Sequence, residues 1–238
     1  MPGSIREIAR VIDHSLLHPT LTDEELRRGC EFARDNSIVA VSIKPYAVTM
    51  ARDILAGSET AVGAVVGFPH GNSRIDIKVA EAKGAMADGA VELDAVLNAG
   101  KVLGGDWRYV DEEIRALNEA AHSGGAILKL IFENDFLPDD KLKIKLCELC
   151  SAAGTDYVKT STGYGFKKHP SGLYWYEGAT EHDLALMRAH CPAGVHIKAA
   201  GGVRSLDGLL RVLELGVSRV GLSATAAILE EARARGYK

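Results

Sequence analysis

Val195-His196-Ile197-Lys198-Ala199-Ala200-Gly201-Gly202-Val203-Arg204-Ser205 reads as a short buried strand, a glycine turn and the start of a helix. A similar arrangement stands upstream in Asp156-Tyr157-Val158-Lys159-Thr160-Ser161-Thr162-Gly163. In both, a lysine closes the hydrophobic run. Working outward from residues 157–159 and 195–198, further β-branched runs occur at residue 12 (brief), 39–43, 61–66, 91–97, 126–131 and 219–222, which makes eight. Near-continuous apolar runs, rather than strict alternation, suit parallel strands covered on both faces. Helix start signals lie between them. Thr22 and Glu25 have the spacing of a capping box, Pro138 precedes Asp139-Asp140, and Thr180 and Ser205 are caps with acids in the first turn.

Eight strand–helix units in 238 residues have the size and rhythm of a single-domain α/β (β/α)8 TIM barrel spanning residues 1–238. An open doubly wound sheet would carry a Gly-rich turn after its first strand, and none is present. One segment departs from the rhythm. Residues 166–178 form a long, breaker-rich stretch with Tyr174-Trp175-Tyr176 in a row, expected as an inserted loop that packs over the pocket or against a second copy. A homo-oligomer is expected, a dimer in preference.

Apolar residues make up 47% and charged residues 25%, enough for a full core, and the net charge is −4 with no basic run longer than two. That balance points away from nucleic acid and anionic membranes. The N-terminus has no apolar h-region, and no stretch of about 18 uncharged apolar residues occurs, so a cytoplasmic protein without a membrane partner is expected. Cys147-Glu148-Leu149-Cys150 has a C-x-x-C spacing but falls inside a predicted helix over 141–153, where two small residues on one face are the simpler reading. His14 and His18 flank a turn rather than sharing a helix face, so no metal is expected.

Lysine is among the residues least often fully buried. Two at equivalent ends of successive parallel strands converge on one pocket, where burial and a neighbouring ammonium lower an amine's pKa. A neutral lysine attacks carbonyl carbon, so the pattern points to Schiff-base chemistry. In a barrel the carboxyl ends of the strands carry the site. Asp13, Ser15, Ser42, Lys44, Asp94, Lys129, Glu133, Lys159 and Lys198 are the polar residues expected there. Asp94 interrupts the apolar run Leu93 to Ala95 and requires a polar partner. It serves either as proton shuttle between the lysines or as a plain buried ion pair. Gly201, Gly202, Arg204, Gly221 and Ser223 lead into the last two helices, the usual place for a barrel phosphate site, although glycine turns there also act as simple punctuation.

These residues resemble the deoxyribose-phosphate aldolase family. The likeness runs through 12–19, Val41-Ser42-Ile43-Lys44-Pro45, Gly67-Phe68-Pro69-His70-Gly71, Val91-Glu92-Leu93-Asp94, Val158-Lys159-Thr160-Ser161-Thr162-Gly163 and Ile197–Arg204. It implies a class I aldolase that reversibly cleaves 2-deoxy-D-ribose 5-phosphate to acetaldehyde and D-glyceraldehyde 3-phosphate without a metal or an organic cofactor, with small-molecule aldehydes and sugar phosphates as its partners. It assigns the Schiff base to Lys159, pKa lowering and proton relay to Lys198, and proton shuttling to Asp94. Asp13, Ser15, Ser42 and Thr162 would line the substrate, with Gly163 joining the phosphate residues. The chain departs from the family at Ser42, where cysteine is common, at Ala200 and Ala224, where serines are usual, and in the longer 166–178 loop. The expected consequence is weaker phosphate discrimination. A Schiff-base aldolase for a non-phosphorylated aldehyde is the second reading, and a catalytically idle sugar-phosphate-binding barrel the third.

Overall fold

The computed structural model describes residues Met1–Lys238. Ten strands and ten α-helices follow in chain order. The barrel strands are β1 (Ile12–Leu16), β2 (Ala40–Ile43), β3 (Ala61–Val66), β4 (Glu92–Val96), β5 (Ile127–Ile131), β6 (Tyr157–Lys159), β9 (His196–Ala200) and β10 (Arg219–Leu222). They pair in parallel in the order β1-β10-β9-β6-β5-β4-β3-β2, and the β1–β10 pairing closes the ring. Closure rules out the open sheet and gives the expected (β/α)8 architecture.

Around the barrel run α2 (Asp23–Asp35), α3 (Val48–Leu55), α4 (Ile75–Asp88), α6 (Trp107–Ser123), α7 (Asp140–Ala153), α8 (Glu181–His190), α9 (Leu206–Glu214) and α10 (Thr225–Ala234). Short helices α1 (Ile5–Ala9) and α5 (Ala99–Leu103) precede β1 and α6. The anticipated caps are in place. Thr22 and Glu25 make both bonds of a capping box, and the Thr180 and Ser205 hydroxyls accept from Asp183 and Gly208 N–H groups. Asp139, directly after Pro138, caps α7. No helix is long and apolar enough to cross a membrane.

Three details differ from the sequence reading. β1 is a full five-residue strand, so Asp13 and Ser15 lie on it rather than after it. β9 runs on to Ala200, and Gly221 lies inside β10 rather than in the following turn. The inserted loop contains a small antiparallel hairpin, β7 (Lys167–Lys168) with β8 (Tyr174–Trp175). Its tip is a turn in which Gly172 has φ +83°, a conformation that favours glycine.

Candidate active site

Parallel register places the functional residues level with one another. Lys159 on β6 is the partner of Lys198 on β9, and Asp94 on β4 is the partner of Lys129 on β5. Side chains alternate along a strand, so residues two apart share a face. Glu92 therefore accompanies Asp94, Ser15 accompanies Asp13, and Arg219 accompanies Gly221. Ser15 is also the register partner of Ser42.

The interior is an ion cluster. One Asp94 oxygen, Oδ2, accepts from Lys159 Nζ and Lys198 Nζ, each at 2.6 Å. Asp94 Oδ1 lies 3.3 Å from Lys129 Nζ without a well-formed hydrogen bond. Lys129 also donates to Asp13 at 2.8 Å and to Glu92. Lys198 pairs with Asp13, and Arg219 donates to Asp13 at 2.6 Å and to Glu92 at 2.8 Å. Four cations thus share three carboxylates: Lys129, Lys159, Lys198 and Arg219 against Asp13, Glu92 and Asp94. An uncompensated buried charge is costly, so the cluster favours the loss of one ammonium proton.

The amines respond differently. Burial pushes Lys198 down, Asp13 and Asp94 oppose it, and Lys129 and Lys159 add to it, so the amine falls to about 8. Lys129 is equally buried, but Asp13, Asp94 and Glu92 together overcome desolvation and raise it. Burial alone would raise Asp94, yet Lys129, Lys159 and Lys198 hold it well below the usual carboxylate range. Lys198 is walled in: Asp13 and Asp94 hold its amine, and a Cβ on Gly221 would stand 3.3 Å from its Cε. Gly221 therefore leaves room for the lysine. Lys159 forms its one ion pair with Asp94 and keeps 3% of its side chain exposed against 0% for Lys198, so it is the less enclosed of the two amines.

The carboxyl-end loops frame this centre. Thr162, Gly163 and Tyr164 follow β6, and Tyr164 meets Phe68 edge-on at 5.6 Å and lies 6.4 Å from His18. Gly163, Gly201 and Gly202 all have positive φ, and Gly178 packs on Gly201 so closely that a Cβ would come within 2.6 Å of its backbone. Tyr176 lies across the same turns, with Cε2 3.3 Å from where a Gly201 Cβ would stand. Of the inserted aromatics, Tyr176 walls the site, whereas Tyr174 and Trp175 are exposed and Trp175 stacks on His169 at 3.7 Å. Arg204 and Ser223 are exposed at the starts of α9 and α10. Ala224 precedes α10 without a side-chain cap, which leaves that helix's first N–H groups free of protein side-chain partners.

Sequence reading missed Glu92 and Arg219 and gave Lys129 no role. The two-residue spacings Glu92–Asp94 and Arg219–Gly221 were the available signal. Also unforeseen were Asp135, which accepts from the Glu177 and Gly178 N–H groups and ties down the inserted loop, and Lys78. The Lys78 amine is fully buried, paired with Glu113 at 2.5 Å, and donates to the Val96 carbonyl at 2.7 Å and to the Gly71 carbonyl. It fastens the 67–71 turn. Outside the mouth, Asp140, His182 and Asp183 are spaced as metal ligands, within 4.8 Å of one another. The Lys143 ammonium already bridges Asp140 at 3.0 Å and Asp183 at 2.5 Å. The four cysteines are free and buried, and Cys147 and Cys150 share the inner face of α7.

A family profile described as DeoC/LacD family aldolase matches residues 8–228. The deoxyribose-phosphate aldolase of Rhodopirellula baltica is 46% identical over 227 residues, 95% of this chain and 90% of the relative. That of Caldanaerobacter subterraneus subsp. tengcongensis is 40% identical over 98% of this chain and 96% of its own length. The structure of the deoxyribose phosphate aldolase of Aeropyrum pernix, a tetramer, superposes with a TM-score of 0.86 at 28% identity, covering 98% of this chain and 94% of that one. A barrel with two lysines about one aspartate, matched along nearly its whole length, belongs to the DeoC/LacD family of aldolases.

Proposed function

We propose that this chain cleaves 2-deoxy-D-ribose 5-phosphate reversibly to acetaldehyde and D-glyceraldehyde 3-phosphate, with Lys159 as the Schiff-base lysine. The observation that carries the reading is the single Asp94 oxygen held 2.6 Å from both amines, inside a cluster with one cation in excess. The excess favours a neutral amine, and Asp94 gives protons a path between Lys159 and Lys198.

Neutral Lys159 adds to the C1 aldehyde, and the carbinolamine loses water to give an iminium ion. The C3 hydroxyl then gives up its proton as C2–C3 breaks, releasing glyceraldehyde 3-phosphate, and the bond's electron pair forms the enamine. Protonation at C2 and addition of water release acetaldehyde and restore the amine. Lys198, poised at about 8, is suited both to give and to take the protons. Asp13 holds Lys198, and Ser15, Ser42 and Thr162 line the sugar. Gly163, Gly201 and Gly202, the α9 and α10 N-termini, Arg204 and Ser223 form the phosphate end, and Gly221 serves there through the space it leaves beside Lys198.

The free buried cysteines support a reducing, cytoplasmic setting. The exposed Phe166, Tyr174 and Trp175 support a contact between copies, read here as a dimer. Borohydride reduction in the presence of deoxyribose 5-phosphate tests the nucleophile. The expected product is a reduced adduct on Lys159 found by peptide mass. An adduct on Lys198, or none, would overturn the assignment.

A further inference from the structure

Glu133 takes no part in the chemistry so far described, yet it sits one rung beyond the partners Ile131 and Lys159. The β5–β6 ladder continues past both strands through Phe132 N–H to Lys159 O at 3.0 Å and Asn134 N–H to Thr160 O at 2.9 Å. Glu133 itself has φ +58° and only 2% of its surface exposed. A non-glycine residue in that region is strained and persists where its surroundings fix it. Its carboxylate accepts the Thr162 N–H at 3.3 Å and also the Thr162 hydroxyl. Gly165 packs flat against it, since a Cβ there would come within 2.6 Å of Glu133 Cδ.

Thr162 is therefore fully allotted except for one lone pair. Its proton goes to Glu133, and one lone pair accepts the Tyr164 N–H at 2.9 Å. A hydroxyl has one donor and two acceptor positions, so Thr162 meets a ligand only as an acceptor. We infer that Glu133 is a positioning residue that sets whether Thr162 accepts from or donates to the sugar. Ionised Glu133 takes the Thr162 proton and leaves an acceptor facing the site. Neutral Glu133 donates its own proton to Thr162 Oγ1 and turns the Thr162 proton outward. The centre is rich in N–H donors, while Asp13, Glu92 and Asp94 are engaged with cations. A sugar hydroxyl there needs an acceptor, so the ionised state is the productive one.

The charged groups around Glu133 allow the switch to operate near neutrality. Burial raises the carboxyl, the Thr162 bonds lower it, Asp135 on its own segment raises it and Lys159 on β6 lowers it, leaving it at about 7.

This inference rests on the aldolase reading, and the test separates the two. E133Q keeps an acceptor for the Thr162 N–H, and its amide donates to Oγ1 at every pH, so it fixes the neutral-acid arrangement. The quantity to follow is the ratio of wild-type kcat to that of E133Q, in which effects of Lys159 and Lys198 common to both proteins cancel. It should be close to one at about pH 5.5 and climb to about tenfold by about pH 8.5, with its midpoint near 7. T162V, which removes the hydroxyl and keeps the volume, should be slower than the wild type at every pH, with a wild-type to T162V ratio that still climbs across the same range about a midpoint near 7, and it decides the matter should E133Q fail to fold. A ratio that is flat across the range means that Glu133 only supports the fold, and the inference fails. Borohydride trapping on Lys159 is run alongside. Its loss in the wild type sinks the Schiff-base reading, whereas intact trapping with a flat ratio sinks the Glu133 inference alone.

Discussion

Replacing Lys159 by leucine should abolish adduct formation and leave the fold nearly as stable as before. The lost bond to a charged partner is worth about 1.5–3 kcal/mol. Against that stands the relief of repulsion between two ammonium groups. Each lies 2.6 Å from the same oxygen, so twice 2.6 Å, or 5.2 Å, is the greatest separation they can have. At an effective dielectric of about 20, two charges at that distance repel by about 3 kcal/mol. Asp94 also keeps its bond to Lys198 and stays near Lys129. The two effects nearly cancel, and a change within about 1.5 kcal/mol is expected. Lys129→Leu provides the contrast. Lys129 is bonded to Asp13 and Glu92 and stands 3.3 Å from Asp94, so its removal should cost about 3–5 kcal/mol. Urea unfolding at pH 7, followed by circular dichroism, gives both numbers. Equal losses in the two variants, or a larger loss for Lys159→Leu, would refute the argument that the cluster holds one cation in excess.

Lys198 makes stability depend on pH in an unusual direction. Its amine is near 8 when folded and near 10.5 when unfolded, so between those values the unfolded chain binds more protons and stability rises with pH; Lys198→Leu should lack that rise in unfolding titrations. Lys78→Met strands a buried Glu113 and should cost about 3–5 kcal/mol, with a Lys78→Met/Glu113→Leu pair recovering much of the loss in the same assay. Ala224→Ser should cap α10, adding about 1 kcal/mol of stability, and together with Ala200→Ser should raise kcat/KM for deoxyribose 5-phosphate relative to deoxyribose. Stability gained without any change in that ratio would place the new hydroxyls away from the phosphate.

Lys159, Lys198 and Asp94 were legible because each violates its surroundings: a charged residue within an apolar run must meet something polar. The barrel was legible from the same runs. Their partners were not. Alternation puts Glu92 on the face of Asp94 and Arg219 on that of Gly221, but both faces of a strand in a closed barrel are buried, so it does not say that those faces point inward, and Arg219 at a strand's first position reads as solvent-facing. Lys78 and Glu113 sit on helices, where a charge ordinarily marks the exposed side. Only the packing of α4 against α6 reveals that these two face each other. Asp135 gave no signal because its partners are main-chain amides 42 and 43 residues away. The hairpin at the tip of the inserted loop is two residues wide on each side, too short for any periodicity to register.

The inserted loop is fastened only at its base. Gly165 rests on Glu133, Asp135 takes the amides of Glu177 and Gly178, and the Ala179 N–H reaches Gly201 O at 3.1 Å. Beyond those anchorages the tip, with Leu173 and Tyr174 exposed, is held by its own hairpin and by the His169–Trp175 stack. Variation is thereby partitioned. A lineage, or a protein engineer, can shorten, graft or recode residues 167–175 while the turns that shape the chemistry stay fixed, so assembly and substrate reach at the rim are free to diverge from the reaction beneath them.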